Sequence, residues 1–295
     1  MITPVSSARV RRREEALHLR KRLFLFLRYV ILLGGAFIMI YPLIWLIRSS
    51  FKPEDLIFSN TSLLSPGWYE GNYSAGWNAL DYPFGVFILN SFIICVGSIA
   101  GNLISCSMAA YAFARLRFKY KPFWFILVQG AIMLPTHILI VPQYILFKQF
   151  DWIGTFLPLV VPKFFATDAF FIFLMIQFIR SIPTELDDAA KIDGCSRLGF
   201  YIRIILPLSL PALVTTAIFT FIWTWNDFFS QLIYLNDETQ YTVPRALGTF
   251  LDSTGNSAYG QLFAMSVVSL LPILLFFLFF QRLLIQGAST SGLKG

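Results

Sequence analysis

The chain has little charge. Lysine, arginine, aspartate and glutamate make up 13% of its 295 residues, against 57% hydrophobic ones, and the mean hydropathy is +0.67. A water-soluble domain of this length cannot hide that much apolar surface, so the solvent for most of the chain is lipid. Strict apolar–polar alternation is missing, which argues against a membrane β-barrel. No G-x-x-x-x-G-K-[ST] phosphate loop occurs, so the chain is not expected to hydrolyse ATP itself, and no nucleophile elbow or zinc motif points to another enzyme activity. Of its two histidines, His137 has no neighbouring Cys, Glu or second His and makes no metal site. Cys95 and Cys106 share one apolar run, about 16 Å apart at ~1.5 Å per residue, too far to bridge. With Cys195 they form no disulfide framework.

What is abundant is apolar sequence in long runs. Six are long enough to cross a bilayer: Tyr29–Ile47, Val86–Ala114, Pro122–Phe147, Trp152–Ile179, Ile204–Asn226 and Tyr259–Gln281. The expected fold is therefore an all-α membrane protein of six spans. Phenylalanine contributes 32 residues, spread over every run, and reads as lipid-facing and packing surface. Small residues at Gly97, Gly101, Ser105 and Ala109 recur every four positions and mark a helix buried in a bundle. Prolines at 135, 142, 158, 162, 207, 211 and 272 remove intrahelical hydrogen bonds. Breaks of that kind persist in a membrane only where protein or a wet cavity satisfies the backbone, which favours a transporter over a passive anchor.

Basic residues set the expected orientation. Arg9, Arg11, Arg12, Arg13, Arg20, Lys21, Arg22 and Arg28 precede the first run. Arg115, Arg117, Lys119 and Lys121 follow the second; Arg180, Lys191, Arg197 and Arg203 follow the fourth; Arg282 and Lys294 follow the sixth. The positive-inside rule places these segments, and both termini, in the cytoplasm. The expected division is a basic arm over 1–28, a membrane domain over 29–285 with a connecting segment at 183–200, and a tail over 286–295. The first run is too long for a signal-peptide core and reads as a retained span. The net charge of +7 is explained by this asymmetry, and the arm is too short to give a folded nucleic-acid surface. The outer segments 48–85 and 227–258 carry Trp68, Tyr69, Trp77 and Tyr82, too apolar for disordered linkers.

The segment from Glu185 to Gly194 is acidic and rich in small residues. Thr184 is a candidate N-cap with Asp187 three residues on, a variant capping box. Glu185, Asp187 and Asp188 fall where the helix dipole favours negative charge, and Gly194 suits a left-handed stop. The helix is only about ten residues long, so it needs packing to persist in water. Leu186, Ala189, Ala190 and Asp193 share one face by spacing. That small face fits a groove on a soluble partner, or equally an amphipathic connector lying on the bilayer.

Asp188-Ala189-Ala190, then Gly194, then Ile204, Leu206 and Pro207 resemble, in residue type and spacing, the EAA motif of ABC-importer permeases, with Asp188 in place of the family's first Glu. Tyr41 to Lys52, Leu89-Asn90-Ser91, Ala109 to Arg115, Trp225 to Phe228, and Phe280 to Gly287 with Gly292 to Gly295 are similar to the carbohydrate-type permeases, in particular the smaller maltose-type subunit. The resemblance implies an importer permease that works by alternating access. Glu185, Asp187, Asp188, Ala189, Ala190, Gly194, Leu206 and Pro207 would form its ATPase-coupling segment, with Asp188 meeting a basic group of the ATPase. It implies as partners a second, homologous permease subunit, two cytoplasmic ATPase subunits that bind the ATP and magnesium, an extracytoplasmic solute-binding protein and the lipid of a bacterial or archaeal inner membrane. This chain itself would hold no cofactor. The tail would lie by the ATPases.

Lys163 and Asp168 are charges inside a span and hence functional candidates. Five residues apart on a regular helix they point about 140° apart and are not expected to pair. Trp223, Trp225, Asn226 and Asp227 close the fifth run with aromatic, amide and carboxylate groups, which suit a sugar's C–H faces and hydroxyls; interfacial anchoring accounts for the same residues. With Asn90 and Asp168 they are the substrate-path candidates, alongside the further in-span polar residues Gln129 and Gln177. The reading is an importer of sugars or oligosaccharides. The rivals are cargo of another class (a polyol, glycerol phosphodiester or peptide), a stand-alone secondary transporter or channel, and a non-transporting scaffold.

Overall fold

The computed structural model describes residues 6–63, 67–251 and 258–291. The last residues of the tail and part of the second outer segment lie outside that range. Among the described residues every regular element is helical.

Four helical stretches are long and apolar enough to span: Arg20–Ser49, Phe84–Arg115, Leu157–Ser181 and Tyr259–Gln281. The first belongs to α1, Ser6–Ser49, which runs without a break from the basic arm into the apolar run. Polar and apolar residues thus share one helix. The second is α4, Phe84–Arg115, and the last belongs to α15, Tyr259–Ser291. Between α1 and α4 lie the short α2, Glu54–Ser59, and α3, Gly71–Trp77.

The other two expected spans are bent pairs. The third run folds as α5, Lys121–Met133, and α6, Thr136–Gln149, which meet at 106°. Pro135 stands between them in an extended conformation, and Leu134, the residue before it, is extended too, as proline's ring requires of its predecessor. The fifth is a helical segment over 197–208, then α12, Leu210–Trp225, turned by 75°. That first segment comprises α10, Arg197–Phe200, a π-helical turn over Tyr201–Ile205 and α11, Leu206–Leu208. Leu206 and Pro207 therefore precede the bend instead of opening a straight span. Four span-length apolar helices, and six if each bent pair counts as one span, are the candidate crossings among the described residues.

The fourth run is a single stretch by length but broken within. It opens with α7, Leu157–Val160, tightens into a 3₁₀ turn over Val161–Phe165, and resumes as α8, Ala169–Ser181. Ala166 takes a left-handed φ of 55° at the break.

α4 is the hub, packed against α8, α12, α7 and the 3₁₀ turn. Lipid tails are as apolar as leucine, so close van der Waals contact and interhelical hydrogen bonds hold such a bundle together. The glycines of α4 show it: a Cβ on Gly97 would stand 2.7 Å from the Val160 side chain, and one on Gly101 would stand 2.8 Å from Lys163. The four-residue spacing thus serves the broken first half of the fourth run. α1 is the opposite case. Residues 20–44 are exposed all round, and α1 leans on α15 near one end, where Trp45 meets Phe263 edge-on at 5.4 Å.

After α12 the chain forms α13, Phe228–Tyr234, and α14, Val243–Thr249. With α2 and α3 they cap one end of the bundle, and the opposite end carries α9, Glu185–Ile192.

Candidate functional site

α9 is eight residues long, two fewer than the spacing suggests. Thr184 has helical dihedrals and its side chain caps nothing, so the capping box does not form. The reason is that Asp187 is engaged elsewhere: its carboxylate lies 2.9 Å from the Arg115 guanidinium. The stop signal forms as expected. Gly194 has φ +70°, its N–H donates to the Lys191 carbonyl, and Cys195 N–H donates to the Ala190 carbonyl at 2.8 Å. These two bonds make a Schellman motif, which satisfies carbonyls that a helix end otherwise leaves open.

The expected common face of Leu186, Ala189, Ala190 and Asp193 divides. Ala190 turns inward, 6% exposed, and packs with Tyr111, Ile176, Ile179, Phe200 and Ile205. Leu186, Ala189 and Asp193 stay exposed, and so does Ile192 at 86%. Glu185 and Asp188 also face outward. Asp188 accepts from Lys191 Nζ at 2.8 Å, and that hydrogen bond together with the lysine charge holds its carboxyl below the ordinary carboxylate range. The three acids thus have different surroundings: Asp187 is tied inward, while Glu185 and Asp188 are presented.

Arg115, the last residue of α4, is the residue that composition and spacing did not single out. Its side chain is 5% exposed. One nitrogen donates to the carbonyls of Ile179, at 3.0 Å, and Ile182, at the end of α8, while the other meets Asp187 on α9. Its sequence signals are its place at the end of the family-like run Ala109 to Arg115 and its position as a basic residue closing an apolar run, the latter shared with ordinary orienting charges. Beyond α9, Ser196 accepts from Gly199 N–H and opens α10. Tyr111 Oη donates to the Arg197 carbonyl at 3.1 Å, and the hydroxyls of Ser107 and Tyr201 lie 2.7 Å apart.

The second group of candidates separates on inspection. Lys163 and Asp168 do pair, at 2.9 Å. The regular-helix expectation fails because the turn at Ala166 folds the chain back between them. Asp168 also accepts from Asn102 Nδ2 at 2.7 Å, Asn102 donates to Thr220 on α12, and Ser105 donates to the Lys163 carbonyl at 2.6 Å. Trp223, one turn after Thr220, is half exposed and packs on Phe170 and Phe171 at centroid distances of 5.3 and 5.1 Å. Asp168 and Trp223 therefore share a neighbourhood, since Phe170 is two residues beyond Asp168.

The remaining candidates have structural work of their own. Trp225 is 2% exposed, stacked against Phe221 and edge-on to Phe92. Asp227 caps α13 by accepting from Ser230 N–H. Asn90 ties α4 to the loop before α14 through the carbonyls of Thr239 and Tyr241, each at 2.9 Å. Asn226 is exposed and donates back to the Ile222 carbonyl.

An eight-residue acidic helix, stopped at a left-handed glycine and set between two membrane helices, is the part of the EAA pattern that a structure can display. Residues 94–290 match the family model described as the binding-protein-dependent transport system inner membrane component. The chain belongs to this family. It is 34% identical over 268 residues to the arabinooligosaccharides transport system permease protein AraQ of Halalkalibacterium halodurans, covering 88% of this chain and 93% of AraQ. It is 32% identical over 273 residues to the trehalose/maltose transport system permease protein MalG of Thermococcus litoralis, covering 91% and 98%. Its fold matches a chain in the crystal structure of a bacterial ABC transporter involved in the import of the acidic polysaccharide alginate, with a TM-score of 0.75 at 20% identity, over 89% of this chain and 97% of that one. The chain is thus an inner membrane permease component with the ABC-importer permease fold.

Proposed function

We propose that this permease carries sugars or oligosaccharides inward as one subunit of an ATP-driven importer. The observation that carries the reading is near full-length similarity to permeases named for arabinooligosaccharides and for trehalose and maltose. In this reading the two bent pairs each count as one span, giving six. Both termini and α9 face the cytoplasm, in keeping with the distribution of basic residues. Residues 183–200 form the coupling segment, seated in a cleft of a cytoplasmic ATPase that binds the nucleotide and magnesium. Glu185 and Asp188 are available for basic groups there, and Leu186, Ala189 and Ile192 supply the apolar contact. A second permease completes the pore, and a solute-binding protein docks on the opposite end. Closure of the ATPases moves α9 and exchanges an inward-open for an outward-open cavity.

Asp168 and Trp223 are the favoured substrate-path pair, since an aromatic face beside a carboxylate suits a sugar ring. Asn90, Trp225 and Asp227 keep roles in the scaffold.

The test is mass spectrometry of the complex purified gently from native membranes, with any bound solute. A P-loop ATPase, a second permease and a saccharide are the expected components. A bound polyol, phosphodiester or peptide would move the cargo to that class. Recovery of this chain alone, under conditions that preserve other ABC complexes, would overturn the importer reading in favour of a stand-alone channel or scaffold.

A further inference from the structure

The attachment of α9 to the bundle differs on its two sides. Toward α8 it is short and stiff: Ile182, Pro183 and Thr184 join the two helices. Arg115 fastens that corner from a third direction. The carbonyls of Ile179 and Ile182 both lie at the C-terminal end of α8, where backbone acceptors outnumber donors; that of Ile179 also accepts the Ile182 N–H at 3.2 Å. A guanidinium presents donors in a rigid planar fork, so one Arg can hold these carbonyls and the Asp187 carboxylate together. A lysine ammonium, a compact point charge, lacks that spread. Toward α12 the connection is longer and bent: Gly194, α10 and the π-helical turn, themselves tied to α4 through Tyr111–Arg197 and Ser107–Tyr201, and then the 75° bend at Ser209 intervene.

α8 is also pinned to α4 at its other end. Asn102 holds Asp168 just before α8 begins, and Ser105 holds the Lys163 carbonyl. The short helix α8 is therefore fixed to α4 at both ends, and α9 is fixed to the same pair through Arg115.

We propose that Arg115 is the joint through which movement of α9 enters the membrane helices: a positioning residue that makes α4, α8 and α9 move as one body, while the bend at Ser209 gives way and α12 follows passively. This rests on the importer reading above. Arg115 touches neither cargo nor nucleotide in this role. Its loss leaves the ATPase bound to an α9 that reaches α4 only through the more distant Tyr111–Arg197 and Ser107–Tyr201 bonds.

The experiment uses the complete complex reconstituted in vesicles, with solute uptake and ATP hydrolysis measured together. For Arg115→Gln the ATPase subunits should co-purify as in the unmodified complex. Uptake per ATP hydrolysed should fall at least about fivefold, the low end of the couplings that link sites in allosteric proteins. Asp187→Asn, which keeps both carbonyl contacts of Arg115, should fall less, and Asp187→Glu should recover most of the loss. If Arg115→Gln does not accumulate in the membrane, Asp187→Asn and Asp187→Glu read the same quantity. Unchanged uptake per ATP in both Arg115→Gln and Asp187→Asn would overturn the proposal. So would loss of the ATPase subunits from the variant complexes, since that assigns Arg115 to assembly. Absence of an ATPase from the unmodified complex would remove the importer reading and this inference with it, and it would be seen before any variant is made.

Discussion

The two ends of the bundle are built differently. At the end that carries α2, α3, α13 and α14, distant segments are laced together by side chains that reach backbone groups. Asn72 donates to the carbonyls of Ser50 and Lys52, and Lys52 Nζ donates to those of Asn60 and Ser62. Glu54 accepts from the N–H groups of Tyr259 and Gly260, Glu238 accepts from Asp81 N–H, and Ser91 accepts from Val243 N–H. At the other end, α9 has one inward ion pair, one buried alanine and a Schellman stop. Leu186, Ile192, Leu198 and Ile202 remain exposed around it. Interlocked caps resist deformation, whereas an element with few internal contacts and an open apolar face takes its position from whatever covers it. The contrast separates an interlocked cap from an element held by few contacts.

The strongest way to break that comparison is to cut the interlocked cap. Asn72 is 5% exposed, and a Cβ on Gly260 would already stand 2.6 Å from its amide oxygen, so no larger group fits there. Asn72→Leu leaves two carbonyls without their donor, each at about 1–3 kcal/mol. The expected result is a loss of about 2–6 kcal/mol, seen as a lower unfolding temperature in detergent. A melting temperature equal to that of the unmodified chain would show that the outer cap is ornament on a bundle stable without it.

Substitutions at α9 should do the reverse and disturb transport at nearly constant stability. A Cβ at Gly194 meets nothing within 4 Å, so Gly194→Ala isolates the backbone cost of φ +70° at about 1–2 kcal/mol, confined to the stop of α9. Reduced uptake with an unchanged global melt is expected. Gly194→Pro goes further, because proline fixes φ near −65° and removes the N–H that reaches Lys191. It should abolish uptake while the chain still accumulates in the membrane, and a transport-competent Gly194→Pro variant would sink the coupling role of 183–200. Ile192→Asp changes a side chain that touches little within the chain. Weaker co-purification of the ATPase with no change in melting is the expected outcome.

How much of this was legible in the sequence follows the range of each interaction. The straight spans were, because hydropathy is summed over contiguous residues. The stop at Gly194 was, since a glycine's allowance for positive φ is a property of one residue. The bends were not assignable among the prolines: Pro42 and Pro272 lie within continuous α1 and α15, whereas the chain turns at Pro135 and at Ser209, between Pro207 and Pro211. A proline breaks a membrane helix only where neighbours accept the freed groups, and those neighbours are remote in sequence. The Lys163–Asp168 pair was misjudged for the same reason, since the fold-back at Ala166 depends on α4 pressing Gly101 against Lys163. Arg115 was read as an orienting charge because its partners lie 64 to 72 residues on.

The smallest effect expected at α9 is electrostatic. Asp188 is exposed and its carboxyl is held below the ordinary range, first by the hydrogen bond from Lys191 and then by that lysine's charge. A carboxyl whose folded pKa is depressed contributes above its unfolded pKa and loses the contribution as pH falls through the folded one. Asp188 therefore stays ionised throughout the range in which transport is ordinarily assayed, and a fall in uptake between about pH 8 and pH 5 is not its doing. Lys191→Met removes the cause of the depression, so Asp188 should titrate at higher pH, and only the part of any acid loss that lies below about pH 5 should move up with it. Uptake at neutral pH should be unchanged, because the carboxylate is ionised there with or without the lysine. A fall at neutral pH would show instead that Lys191 itself meets the ATPase, and the presented face of α9 would then extend past its acids to the last turn.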